Sequence, residues 1–147
     1  MKTFDIIDRI EAFANENGFL FFLGVKATLN LVDNLVDTDD VIIMVDANIE
    51  GIQTFDGFSA PSENLTINVF VLRRANFDQL VGNENGFETS AGKWRENIIG
   101  LRPIARNLIN YIRRACDVEI TQAAWMPVFN LFDLNTDGIA LKINANK

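Results

Sequence analysis

Asp133, Asn135 and Asp137, followed by Gly138, set oxygen-bearing side chains at alternate positions ahead of a flexible bend. A calcium-binding loop opens this way, with ligands at its first, third and fifth positions and glycine at the sixth. The rest of the loop fails. Its twelfth position is Asn144 where a bidentate glutamate is needed, and Ile139, Leu141 and Ile143 alternate like a strand instead of opening a helix. The stretch therefore reads as the turn of a β-hairpin. Cys116 is the only cysteine, and histidine is absent. That removes Ser–His and Cys–His nucleophiles, imidazole metal ligands and any disulfide framework. Cys116 itself has only Arg113 and Arg114 as basic neighbours, and reads as a small apolar residue at a helix end. No Gly-rich phosphate loop, zinc spacing or nucleic-acid signature is present. No metal, no cofactor and no catalytic residue is expected. A carboxylate-based enzyme or a small ligand-binding domain remains the alternative, and it requires a deep pocket holding two or more of the twenty carboxylates.

The chemistry left is charge recognition. Arg95, Arg102, Arg106 and Arg113 are spaced by seven, four and seven, which lines them up along one side of an α-helix. Between Lys93 and Arg114 stand six basic residues against Glu96 alone, in a chain whose net charge is −7. Two roles fit such a stripe: a solvated flank that keeps the helix in water, or a contact for an acidic neighbour such as a second copy of this chain. The acidic balance of the whole chain argues against general binding to nucleic acid or to anionic membranes.

The helix that carries the stripe runs from Ala91 to Cys116. Trp94, Ile98, Leu101, Ala105, Leu108 and Ile112 recur by fours and threes and form its apolar side. Thr89 and Ser90 are N-cap candidates, and Arg113 and Arg114 complement the dipole at the other end. Pro103 removes a donor and crowds the carbonyl of Ile99, so a kink is expected beside Gly100 within one long helix. Trp94 and Trp125 are expected to anchor the helix and the hairpin in the core.

Around it, Thr3 can cap a first helix with Ile6, Ile7, Ile10, Phe13 and Ala14 at helical spacing, stopped by Asn17-Gly18. The amphipathic opening MKTFDIIDRIEAF lacks the apolar core of a signal peptide, and no run approaches the ~20 residues of a membrane span. Phe19 to Leu23 and Val41 to Val45 are continuous apolar runs of strand length. Between them Lys26 to Asn34 suits a helical turn as well as a strand. Asp46 to Asn64 reads as a long loop, and its Phe55 and Phe58 must either fold back on the core or be covered by a partner. Leu65, Ile67, Val69 and Val71 alternate with Thr66, Asn68 and Phe70 as a strand. A short helix around Phe77 to Val81 and a polar linker from Gly82 to Gly92 lead to the long helix. Val118 to Ile120 is a candidate short strand, and Ala124 to Ile143 forms the hairpin. With 147 residues, 48 % of them apolar, one packed domain spanning 1–147 is expected. Its class is α+β, with a mostly antiparallel sheet of four to five strands and both helices on one face.

The closing stretch W-x-P-V-F-N-L-F-D-x-N-x-D-G-I-x-L, from Trp125, follows a long helix that begins with a tryptophan. It resembles the small neck and tail-completion proteins of tailed bacteriophages, and tail-terminator-like proteins in particular. The G-F-L-F-F-L run, the V-I-I-M-V strand and the T-I-N-V-F-V-L strand after a long loop fit the same resemblance. The order of elements agrees over nearly the whole chain, while residue-level similarity concentrates in the final hairpin. The resemblance implies a structural virion protein, assembled in the host cytoplasm, that forms a homo-oligomeric, hexamer-like ring. Its partners would be itself and other neck or tail-tube proteins, with passive passage of DNA through the ring and no membrane. It implies no catalytic residue. A ring needs one surface to meet a different surface on its neighbour, and opposite charge on two patches of one subunit suits that. Arg95, Arg102, Arg106 and Arg113, with Phe55 and Phe58, are the interface candidates.

Overall fold

The computed structural model describes residues 3–25, 40–74, 94–115, 119–131 and 136–146. In chain order the elements are α1 (Thr3–Glu16), β1 (Leu20–Gly24), β2 (Ile42–Asp46), β3 (Glu50–Thr54) and β4 (Ser62–Arg74). A π-helical turn (Trp94–Ile99), α2 (Arg102–Ala115), β5 (Glu119–Leu131) and β6 (Thr136–Asn146) follow. The expectations for Lys26 to Asn34, Phe77 to Val81, Gly82 to Gly92, the caps Thr89 and Ser90, Cys116, Val118, Asp133 and Asn135 lie outside the described residues. So do the side chains of Thr3, Trp94 and Arg95.

The architecture is α+β, with a six-stranded sheet ordered β1-β2-β4-β6-β5 and β3 beside β4. Only β1 and β2 run parallel; the remaining pairs are antiparallel. Leu65, Ile67, Val69 and Val71 point to one face as their alternation requires, and Ile139, Leu141, Ile143 and Ala145 of β6 join them there. Ile43 and Val45 extend this inner face across β2. Onto it pack Ile6, Ile10, Phe13 and Ala14 of α1 and Leu101, Ala105, Leu108 and Ile112 of the later helical region. Both helices thus lie on one side of the sheet. On the opposite face Ile42, Met44 and Leu72 form a smaller buried cluster with Leu20, Phe22, Phe70 and Val128 around it.

α1 ends as Asn17-Gly18 suggests. Gly18 takes a left-handed φ of 71°, Phe19 N donates to Ala14 O at 2.8 Å, and Gly18 N donates to Asn15 O at 3.3 Å. This is a Schellman stop, which a non-glycine residue at that φ would strain. The two helices meet through Phe13, whose ring lies 5.6 Å from Tyr111 and 6.1 Å from Phe19. The Tyr111 hydroxyl donates to Glu16 Oε1 at 3.1 Å. Desolvation first, then the bond to Glu16 and its negative charge, raise the phenol's pKa, so it stays a donor through the neutral range.

Three expectations need correction. The long helix is not one kinked rod: it is a π-helical turn, a break at Gly100-Leu101, and a fresh α-helix. Pro103 falls in the first turn of α2, where its missing donor has no partner to lose, and Ala105 N makes the opening bond to Leu101 O at 3.1 Å. The apolar stripe survives the change in winding, since Ile98, Leu101, Ala105, Leu108 and Ile112 are all buried. Asn97, also buried, donates through Nδ2 to Asp137 Oδ2 at 2.9 Å and ties the π turn to β6.

The stretch from Asp46 to Asn64 is not a loop throughout, because it contains β3 and the start of β4. The strand count rises to six for this reason. Lastly, Asp137 and Gly138 are not turn residues. They sit within β6, opposite Arg73 and Leu72 of β4.

Glycine at 138 is required by close approach. A Cβ there would fall on the carbonyl oxygen of Val71 and within 2.9 Å of Leu72 Cα, both backbone atoms that cannot swing aside. Gly138→Ala is therefore expected to lower the unfolding free energy by about 3 kcal/mol or more, measured by urea denaturation. A change below about 1 kcal/mol would mean that this backbone approach is looser than described.

Candidate interaction surfaces

β4 is longer than β2, and residues 62–66 take β3 as their partner on the edge where residues 69–72 pair with β2. The result is a hairpin arm. A turn at Ala47 to Ile49 separates β3 from β2, held by Asn48 N to Asp46 Oδ1 at 3.0 Å and Ala47 N to Gly24 O at 2.9 Å. Every residue of β3 is exposed on both faces. At the tip, Ser59 N donates to Asp56 O at 3.1 Å around Gly57, whose φ is 59°. The tip is thus a closed turn that presents its side chains outward. Phe55 is 71 % exposed, Phe58 wholly so, and Ile52 on β3 is 63 % exposed. Neither phenylalanine folds back on the core. From Asp46 to Glu63 the arm and its base carry Asp46, Glu50, Asp56 and Glu63 and no basic residue.

A second surface lies at the other edge of the sheet. α2 packs over the middle strands and leaves β5 partly uncovered. Trp125 and Ala123 of β5 pair with Leu141 and Ile143 and so face the helix side. Between them and α2 runs a groove of about 210 Å³. Its floor is Ala105, Ile139 and Leu141; Arg102, Arg106 and Ile109 form the helical wall. The Arg102 guanidinium stands 4.5 Å from the Trp125 ring centroid, close enough for a cation–π contact. Among the described residues no carboxylate lines this groove. None of them lines the depression on the outer face either, where Phe70, Met126 and Ala140 lie beside Asn68 and Lys142. Farther along that face Thr66, Asn144 and Gln122 are linked by hydrogen bonds of 2.9 and 3.5 Å.

The sequence-derived interface residues therefore divide into two groups. Arg102 and Arg106 line the groove, and Phe55 and Phe58 crown the arm. Arg113 is exposed at the far end of α2, away from the groove, and Arg95 belongs to the π turn by its backbone. Trp125 is a further correction: at 41 % exposure it is a groove wall, not a core anchor. The cause is its place on an edge strand that α2 covers only in part. Ile52 on the surface and Ile109 at the groove wall were equally invisible, because a single apolar side chain carries no mark of which face it occupies. Among the described residues no three His, Cys, Asp or Glu side chains gather to hold a metal, and no helix is long and apolar enough to cross a membrane. The sequence matches no protein-family model and shows no significant similarity to a curated protein.

Trp125→Ala tests the placement of this residue. Removing a buried tryptophan typically costs 3–5 kcal/mol, whereas a groove wall that keeps much of its ring in water should cost about 1–2 kcal/mol. Chemical denaturation of the variant gives the answer, and a loss in the upper range would return Trp125 to the core.

Proposed function

We propose that the chain is a structural virion protein of the neck or tail end of a tailed bacteriophage, a tail terminator or tail-completion ring that caps the tail tube or joins it to the head. The observation that carries this reading is the pair of unlike, uncovered surfaces on one acidic chain. An arm bearing exposed phenylalanines and only acidic charge stands at one edge of the sheet, and a groove bearing arginines and a half-exposed tryptophan stands at the other. Isolated apolar residues on a surface are ordinary, but aromatics held out on a closed turn make contact area without a cover. Unlike surfaces on opposite edges generate head-to-tail contacts, and such contacts close into rings when the rotation per subunit divides a full turn. The sequence resemblance of the closing hairpin supplies the biological setting. A net charge of −7 also suits a ring through which DNA slides without adhering.

The reading predicts closed rings, hexamer-like in size, at micromolar concentration or upon addition of the tail-tube protein. Negative-stain microscopy and sedimentation of the purified chain measure this directly. A strict monomer in both conditions would overturn the proposal.

A further inference from the structure

We infer that the β3–β4 arm of one copy seats in the α2–β5 groove of the next, with Phe58 against Trp125 and Ile109 and Asp56 against Arg106. The inference rests on the ring reading and specifies the contact that would build it. Three observations lead to this occupant.

The first is charge. The arm offers Asp46, Glu50, Asp56 and Glu63 without a basic residue, while the groove offers Arg102 and Arg106 and, among the described residues, no acidic one. Complementary patches steer association and fix its register, and like-charged alternatives are penalised. The second is shape and polarity. The groove's apolar floor and aromatic wall enclose about 210 Å³, the space of roughly seven waters, which suits one aromatic ring. The arm holds Phe58 at the end of a closed turn, with Asp56 two residues before it. An aromatic residue entering a pocket beside a charged pair is the pattern of an interface anchor. The third is placement. β3 lies on the β2 side of β4, and the groove lies beside β5 at the far side of the sheet. An arm from one edge cannot fill the groove of its own subunit without crossing the sheet, whereas the same groove on a neighbour is open to it. Each subunit then gives one arm and receives one, which is the heterologous contact a closed ring requires.

Arg102 has a specific part in this contact. In the isolated chain its guanidinium lies over the Trp125 ring. On docking, the guanidinium keeps one aromatic neighbour and gains the acidic arm as a second. It is a positioning residue for the aromatic pair, while Arg106 supplies the direct partner of Asp56.

Two variants test the contact, each damaging one surface and sparing the other: Phe58→Ser with Asp56→Arg on the arm, and Arg102→Glu with Arg106→Glu in the groove. All four positions are exposed, so both variants should keep the circular dichroism of the parent. Each alone should lose rings, with self-association weakened at least about a hundredfold. Mixed together, they retain one intact arm and one intact groove, and should give a one-to-one dimer that grows no further. Rings formed by either single variant would overturn the docking while leaving the ring reading in place. So would a groove variant that assembles normally but loses the tail-tube protein, since the groove would then serve that partner. A parent chain that stays monomeric throughout would overturn both.

Discussion

Pairing between β4 and β6 is the constraint on which the rest of this structure depends. Eleven consecutive residue pairs, from Asn64 with Asn146 to Arg74 with Thr136, lock the two strands in a single register. That register places Leu65, Ile67, Val69 and Val71 beside Ala145, Ile143, Leu141 and Ile139 on one face, and a slip of one residue would send the whole set to the other side. It also brings Gly138 against the backbone of Val71 and Leu72, at a distance that only glycine tolerates. Once the apolar face is fixed, both helices have one place to go. The buried bond from Asn97 to Asp137 then fastens the π turn to the β6 end of the same ladder.

The uncovered surfaces follow from lengths within this frame. β4 has thirteen residues and β2 only five, so half of β4 needs another partner and finds it in β3. Because β3 continues past the covered part of the sheet, the hairpin becomes an arm. At the opposite edge, β5 is as long as β4, and α2 lies over the middle of the sheet and meets β5 only at its margin. A groove remains between helix and strand, with Trp125 as its outer wall. Arm and groove are thus two consequences of one central ladder that is wider and longer than its helical cover.

Much of the frame was legible in the residues. α1, β4, the hairpin of β5 and β6, and the buried stripe of α2 announce themselves by burial periodicity, because a half-buried element must repeat with its own geometry, while β1 and β2 show as continuous apolar runs. β3 did not, since Glu50-Gly51-Ile52-Gln53-Thr54 buries neither face and has nothing to repeat. Gly138 looked like turn chemistry, and its true reason, a backbone neighbour more than sixty residues away, leaves no local trace. Pro103 signalled a disturbance but not its form, because a proline kinks a helix in mid-course and is accommodated in the first turn of a new one. The candidate surfaces were half legible. The spacing of the arginines showed that Arg102 and Arg106 share a side, and the chemistry of Phe55 and Phe58 showed that they needed cover. That Trp125 faces Arg102 across an open groove depends on how far α2 reaches over the sheet, a tertiary fact with no signature in either segment.

Oxidative cross-linking between arm and groove addresses the head-to-tail contact most directly. With Cys116 replaced by serine, a chain carrying both Ser59→Cys and Asn110→Cys has one thiol on the arm tip beside an intact Phe58 and one in the groove lining. If the arm of each copy seats in the groove of the next, mild oxidation produces a disulfide ladder on a denaturing gel. The ladder ends at the number of subunits in the ring, while either single substitution gives no such ladder. A double variant that stays monomeric on the gel, although its rings are visible by microscopy, would contradict the account.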